Sequence, residues 1–142
     1  MSEEFPPQPP APVPPPASTP PSSGLSDNVA AALAYVTVIP AILFLILEPY
    51  NKIPLVKFHS YQSIALCVVA FVLHIALHIS HAVLSHAVLH FIPLIGILFF
   101  FLNMAVAFGL FIVWIVVILK ASKGEWYKLP VIGDFADQQA RR

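Results

Sequence analysis

The chain has 142 residues, of which 58% are hydrophobic and only 10% charged, and its formal net charge is zero. Ordinary soluble domains carry roughly a quarter charged residues, so a water-facing globule is excluded. The neutral total gives no reason to expect a nucleic-acid partner. Residues 58–119 contain no Asp, Glu, Lys or Arg. A block of that length cannot be one helix and is too apolar for a solvated surface, so it belongs in hydrocarbon. The single cysteine, Cys67, lies inside that block and cannot form an internal disulfide. It reads as a small hydrophobe.

Residues 1–28 differ from the rest. Ten prolines fall between Pro6 and Pro21, which rules out helix and ladder and predicts a semi-rigid, disordered tail of polyproline II character. No cationic region precedes the first apolar run, so residues 29–47 are not read as a cleaved leader.

Residues 29–47, VAAALAYVTVIPAILFLIL, carry no charge, and eleven of them are Leu, Ile, Val or Phe. At roughly −0.3 to −0.6 kcal/mol each for central insertion, they predict a first transmembrane helix, bent at Pro40. Ala30 and Ala34, with Thr37 and Ala41, form a small-residue stripe suited to packing against a neighbouring helix. Residues 48–60 read as a polar connection. A second span is expected over about 61–84 and a third over about 94–119. The third apolar stretch, Phe91 to Leu119, would run about 44 Å as one helix against a hydrocarbon core of roughly 30 Å, so it tilts or starts late.

Three spans, a helix followed by a long helical hairpin, place Lys52 and Lys57 on one side with Lys120, Lys123 and Lys128. The positive-inside rule makes that side cytoplasmic, with the amino terminus out and the carboxyl terminus in. The alternative of four spans, split at Asn103, would put Lys52 and Lys57 outside. The fold expected is therefore an all-α membrane protein: tail 1–28, transmembrane domain 29–138, and an amphipathic interfacial tail 120–142. Asn103, near the centre of the third span, seeks a partner, and Ala105 and Gly109 form a small-xxx-small pair beside it.

Five of the six histidines cluster at His74, His78, His81, His86 and His90. The first three fall within about 60° on a helix, and imidazole ligates zinc, copper, nickel and iron, so a bound metal or a bis-histidine haem is one reading. Helix packing or an interfacial position is the other. SHAVL at 80–84 recurs at 85–89, and a five-residue step turns a helix by about 140°, away from a shared face. No carboxylate or cysteine stands near to complete a shell. The balance of these features favours no bound cofactor.

Two motifs flank the basic side. VKFHSYQSI, residues 56–64, places Lys57 and Phe58 at the interface and His59 and Gln62 at i, i+3, where they could bond each other or a neighbouring chain. KASKGEWYKLPVIGD, residues 120–134, offers Gly124 as a helix C-cap, Trp126 and Tyr127 as head-group anchors, and Lys128 and Asp134 in a segment that can lie on the membrane. Together with AALAYVTVIPAILFLILE, these elements resemble a family of small bacterial membrane proteins of unknown function. That family is itself similar to the Tic-twenty subunit of the chloroplast inner-envelope protein translocon. The resemblance covers about residues 30–138 and implies a plasma-membrane location. That subunit has four spans where three are read here. No catalytic residue is attached to the family, and the spans offer no carboxylate or lysine for catalysis. The expected function is a non-enzymatic subunit or scaffold in the lipid bilayer, as a homo-oligomer or with a membrane-protein partner. A histidine-lined metal or haem binder is the alternative.

Overall fold

A computed structural model describes residues 24–87 and 92–142. The proline-rich tail, His90 and the rest of 88–91 lie outside the described residues. Five α-helices follow in order: α1 (Asp27–Leu33), α2 (Val38–Ile46), α3 (Pro54–Ala87), α4 (Ile92–Ser122) and α5 (Ile132–Ala140), with one 3₁₀ turn at Tyr50–Lys52.

Two of these helices, α3 and α4, are long and apolar enough to cross a membrane. At 1.5 Å per residue, their 34 and 31 residues extend about 51 and 46 Å, beyond the roughly 30 Å of hydrocarbon. They form an antiparallel hairpin whose far end is marked by His81 against Phe99, with ring centroids 5.2 Å apart. Phe71, Val83, Phe101 and Phe108 are among the many large side chains left exposed along them, as lipid-facing helices require. The second helix starts at Pro54, two turns earlier than its apolar content suggests. Proline suits the first helical position because its fixed φ fits and its missing amide would have had no partner.

The segment 29–47 is not one helix bent at Pro40. It breaks at residues 34–37 into pieces of 7 and 9 residues, about 10 and 14 Å long, neither able to span. The Tyr35 and Val36 amides close tight turns onto Ala32 and Leu33 carbonyls. Thr37 is extended at φ −150°, ψ 170° and opens α2. Pro40 then falls in the first turn of α2, where an amide would have no helical acceptor, so it helps start this helix rather than kink one.

The two arms also fold back. The Leu25 amide donates to the Tyr50 hydroxyl at 3.0 Å, so residues on either side of the segment meet. Ala30 from the first arm and Phe44 from the second share one cluster with Val56 at the base of α3. Ala31 and Tyr35 pack on Val117 and Ala121 of α4. The stripe of Ala30, Ala34 and Ala41 is fully buried and is used within the chain, against α3. The α1–α2 unit is therefore a folded-back helical hairpin, and residues 24–28 lie at the same end as Gly124, whose Cβ position is 2.8 Å from Asn28 Oδ1. The three-span expectation placed these two ends on opposite sides.

Candidate functional site

α3 begins with the buried residues Val56, Phe58, His59, Ser60 and Gln62. An i, i+3 spacing puts His59 and Gln62 on one face. They do not bond each other; both reach the segment that follows α4. Gly124 terminates α4 at φ +73°. Its amide bonds the Ala121 carbonyl and the Glu125 amide bonds that of Lys120, the paired pattern of a Schellman cap. The chain then runs irregularly through residues 125–129 before α5, leaving main-chain groups that need partners.

His59 and Gln62 supply them at every second residue. His59 Nε2 donates to the Glu125 carbonyl at 3.1 Å. Gln62 Nε2 donates to the Tyr127 carbonyl at 3.0 Å, and Gln62 Oε1 accepts from the Leu129 amide at 3.3 Å. The Tyr35 hydroxyl completes the set, lying 3.1 Å from His59 Nδ1 and 3.0 Å from Gln62 Nε2. A carbonyl can only accept, so Nε2 of His59 carries the proton and Nδ1 accepts from the tyrosine, whose oxygen accepts from Gln62. One neutral tautomer satisfies every bond. Trp114 Nε1 donates to the Tyr35 carbonyl at 2.7 Å, tying the hairpin tip to α4. Thus α1, α3, α4 and the tail meet at one polar knot.

Apolar packing reinforces it. Trp126 stacks on the fully buried Phe58, with centroids 4.9 Å apart, so this tryptophan braces the tail as well as keeping an exposed edge. Tyr127 is also part-exposed, and Lys120 lies 5.9 Å over its ring. Lys57 is half-buried beside Phe58. Leu129 is buried, and Ala136 and Ala140 of α5 close over Phe58. The tail expected to lie on the membrane surface is docked on α3. Lys128 Nζ pairs with Asp137 at 2.8 Å and lies 3.6 Å from Asp134, while Arg141 bonds Asp137 at 2.9 Å.

Lys128 first, and Arg141 after it, hold the Asp137 carboxyl below its ordinary pKa. A depressed folded-state pKa stabilises docking above the unfolded value and loses that contribution as pH falls through the folded one. Fluorescence of Trp126 should therefore stay constant from neutral pH to about 5. It should change progressively below about 4, the ordinary aspartate range, and Asp137→Asn should remove that acid step while weakening docking at neutral pH.

The histidines of α3 do not converge. His74 and His81 are partly buried, His78 and His86 are exposed, and His74 Nδ1 is engaged with the Ala70 carbonyl at 2.9 Å. Among the described residues, no three His, Cys, Asp or Glu side chains could hold a metal ion. On α4, Asn103 Nδ2 donates to Phe99 of its own helix at 2.9 Å, and Ala105 and Gly109 are exposed. Sequence reasoning missed Tyr35 and Trp114. The available signal was a lone tyrosine and a tryptophan with polar tips inside apolar runs, since each seeks a hydrogen bond when buried.

The sequence profile of the MamF/MmsF family, described as a magnetosome magnetite crystal formation protein family, matches residues 26–136. A UPF0132 membrane protein of Archaeoglobus fulgidus is 42% identical over 116 residues, covering 81% of this chain and 96% of that protein. A UPF0132 membrane protein of Methanocaldococcus jannaschii is 44% identical over 121 residues, covering 84% and 94%. Both organisms are archaea, so these relatives extend beyond the bacterial group that the motifs suggest. No solved structure matches the chain.

Proposed function

Because the chain belongs to the magnetosome magnetite crystal formation protein family, with relatives named simply as membrane proteins, we propose that it is a non-enzymatic membrane subunit or scaffold acting through helix and interfacial contacts. In this reading α3 and α4 cross the bilayer, and α1–α2 enters and leaves the leaflet from which α3 starts. Lys52, Lys57, Lys120, Lys123 and Lys128 share one end of the bundle, which the positive-inside rule assigns to the cytoplasm. Residues 24–28 lie at that end too, so both ends of the described chain are cytoplasmic.

The carrying observation is an asymmetry between the carboxyl end and the middle of α4. At its carboxyl end the polar side chains of Tyr35, His59 and Gln62 are spent on one another and on the main chain of the tail. Midway along it, Ala105 and Gly109 are exposed, and a Cβ placed on Gly109 would meet nothing within 4 Å. Small residues there allow another helix to approach closely, a second copy or a larger membrane partner. The resemblance to a translocon component that the motifs suggest would belong to the same class of small membrane subunit. Cross-linking in native membranes should yield a discrete adduct, and Asn103→Leu with Gly109→Leu should abolish it. Recovery of monomer alone from the unaltered protein would refute the subunit role.

A further inference from the structure

The re-entrant hairpin leaves polar backbone where lipid offers no partner. Among the described residues the amides of Thr37, Val38 and Ile39 have no backbone acceptor, Thr37 makes no side-chain cap, and Pro40 has no amide to add. Trp114, which bonds the Tyr35 carbonyl, lies six residues inward from Lys120 on α4, which puts this tip about 9 Å deep, inside the hydrocarbon. Open main chain at such depth persists only where it faces protein or a filled cavity.

A cavity of about 400 Å³ lies there, between the tip and the middle of the two long helices, and Thr37, Val38, Ser63, His74, Phe111 and Trp114 help line it. Ser63 is only 7% exposed, and its hydroxyl takes part in no hydrogen bond among the described residues. The start of α2 and this buried hydroxyl therefore offer several donors to one space. Thr37 and Phe111 are exposed, so the space opens on the lipid-facing side.

The walls define the occupant. No lysine or arginine lies between Lys57 and Lys120, so an anion would be buried without a countercharge, which is strongly unfavourable. A neutral acceptor is favoured instead. The aromatic and aliphatic lining suits an apolar body, and the outward opening suits a tail running into the bilayer. We propose that this cavity binds the uncharged, carbonyl-bearing head of a membrane-dissolved lipid. Its carbonyl oxygen accepts from the first amides of α2 and from the Thr37 and Ser63 hydroxyls. This site rests on the reading that α3 and α4 cross the membrane.

The test uses the full chain carrying Trp126→Phe, so that Trp114 on the cavity wall is the sole tryptophan, reconstituted in phosphatidylcholine vesicles. One arm titrates a short-chain benzoquinone and the other a diacylglycerol with brominated chains, since both carry neutral carbonyls and both quench tryptophan. Saturable quenching in either arm, with half-saturation raised about tenfold by Thr37→Val with Ser63→Ala (about 1.4 kcal/mol), supports the site and identifies its source. Quenching that rises linearly in both arms, or saturates without responding to the double variant, overturns it. Phosphatidylcholine with brominated chains serves as the depth control. If it fails to quench Trp114 at all, the membrane placement falls, and the site with it.

Discussion

Replacing Gln62 with leucine is expected to release residues 125–140 from α3. The leucine fills a similar volume but removes three hydrogen bonds, to Tyr35, Tyr127 and Leu129. It strands a carbonyl and an amide against a buried surface, at about 1–3 kcal/mol for each unsatisfied group. The tail can escape that cost by swinging into water, so the loss should appear as local detachment rather than global unfolding. Amide exchange across 125–140 should accelerate about 100-fold, corresponding to about 3 kcal/mol, while the middle of α3 and α4 stays protected. Gln62→Glu retains the acceptor for Leu129 and should fall between. Exchange in Gln62→Leu equal to that of the unaltered protein would remove the clamp from consideration.

Gly133→Ala should detach the same tail by a different route. A Cβ there would lie 2.7 to 2.9 Å from the Cβ, Cα and carbonyl carbon of Lys128. Two of those atoms are backbone and cannot rotate away. The turn through Lys128–Pro130 must open, which pulls Leu129 from its pocket and breaks the 2.8 Å bond from the Gly133 amide to its carbonyl. Overpacking of this kind costs about 1–3 kcal/mol. Gly109→Ala places the same methyl group where nothing lies within 4 Å. In detergent, the melting temperature should drop and proteolysis after Lys128 should quicken for Gly133→Ala but not for Gly109→Ala. Equal behaviour of the two variants would mean that α5 is not seated as described.

Composition alone made the long apolar hairpin of α3 and α4 legible. The charge-free block from 58 to 119 could be accommodated in no other solvent, and the basic flanks marked its ends. The folded-back α1–α2 hairpin was hidden because 29–47 is long and apolar enough to span, and hydropathy cannot register where such a run folds back. What breaks it is partly tertiary: alanines small enough to pack α1 on α4, and the Tyr35 carbonyl held by Trp114. One local clue was present in the Thr-Val-Ile-Pro sequence, where an extended residue and an early proline begin a helix. A kink assigned to Pro40 overlooked that proline is tolerated in a first turn.

The shared face of His59 and Gln62 was also readable from spacing. Their partners were not, since Glu125 and Leu129 lie more than sixty residues away in sequence and offer main chain, which carries no sequence signature. Gly124 did carry one, because only glycine suits the positive φ of a Schellman cap after a basic last turn. The histidines show the opposite limit. Helical spacing brought three onto a nominal stripe, yet burial separates His74 and His81 from the exposed His78.

The re-entrant hairpin is tested most directly by the sidedness of two single cysteines, at Ser26 and Gln138, each introduced after Cys67→Ser. A membrane-impermeant maleimide should label both from the cytoplasmic face of inverted vesicles and neither from the outside of intact cells. Labelling of position 26 from outside, with position 138 still cytoplasmic, would mean that residues 29–47 cross the bilayer and that the hairpin does not exist in the membrane.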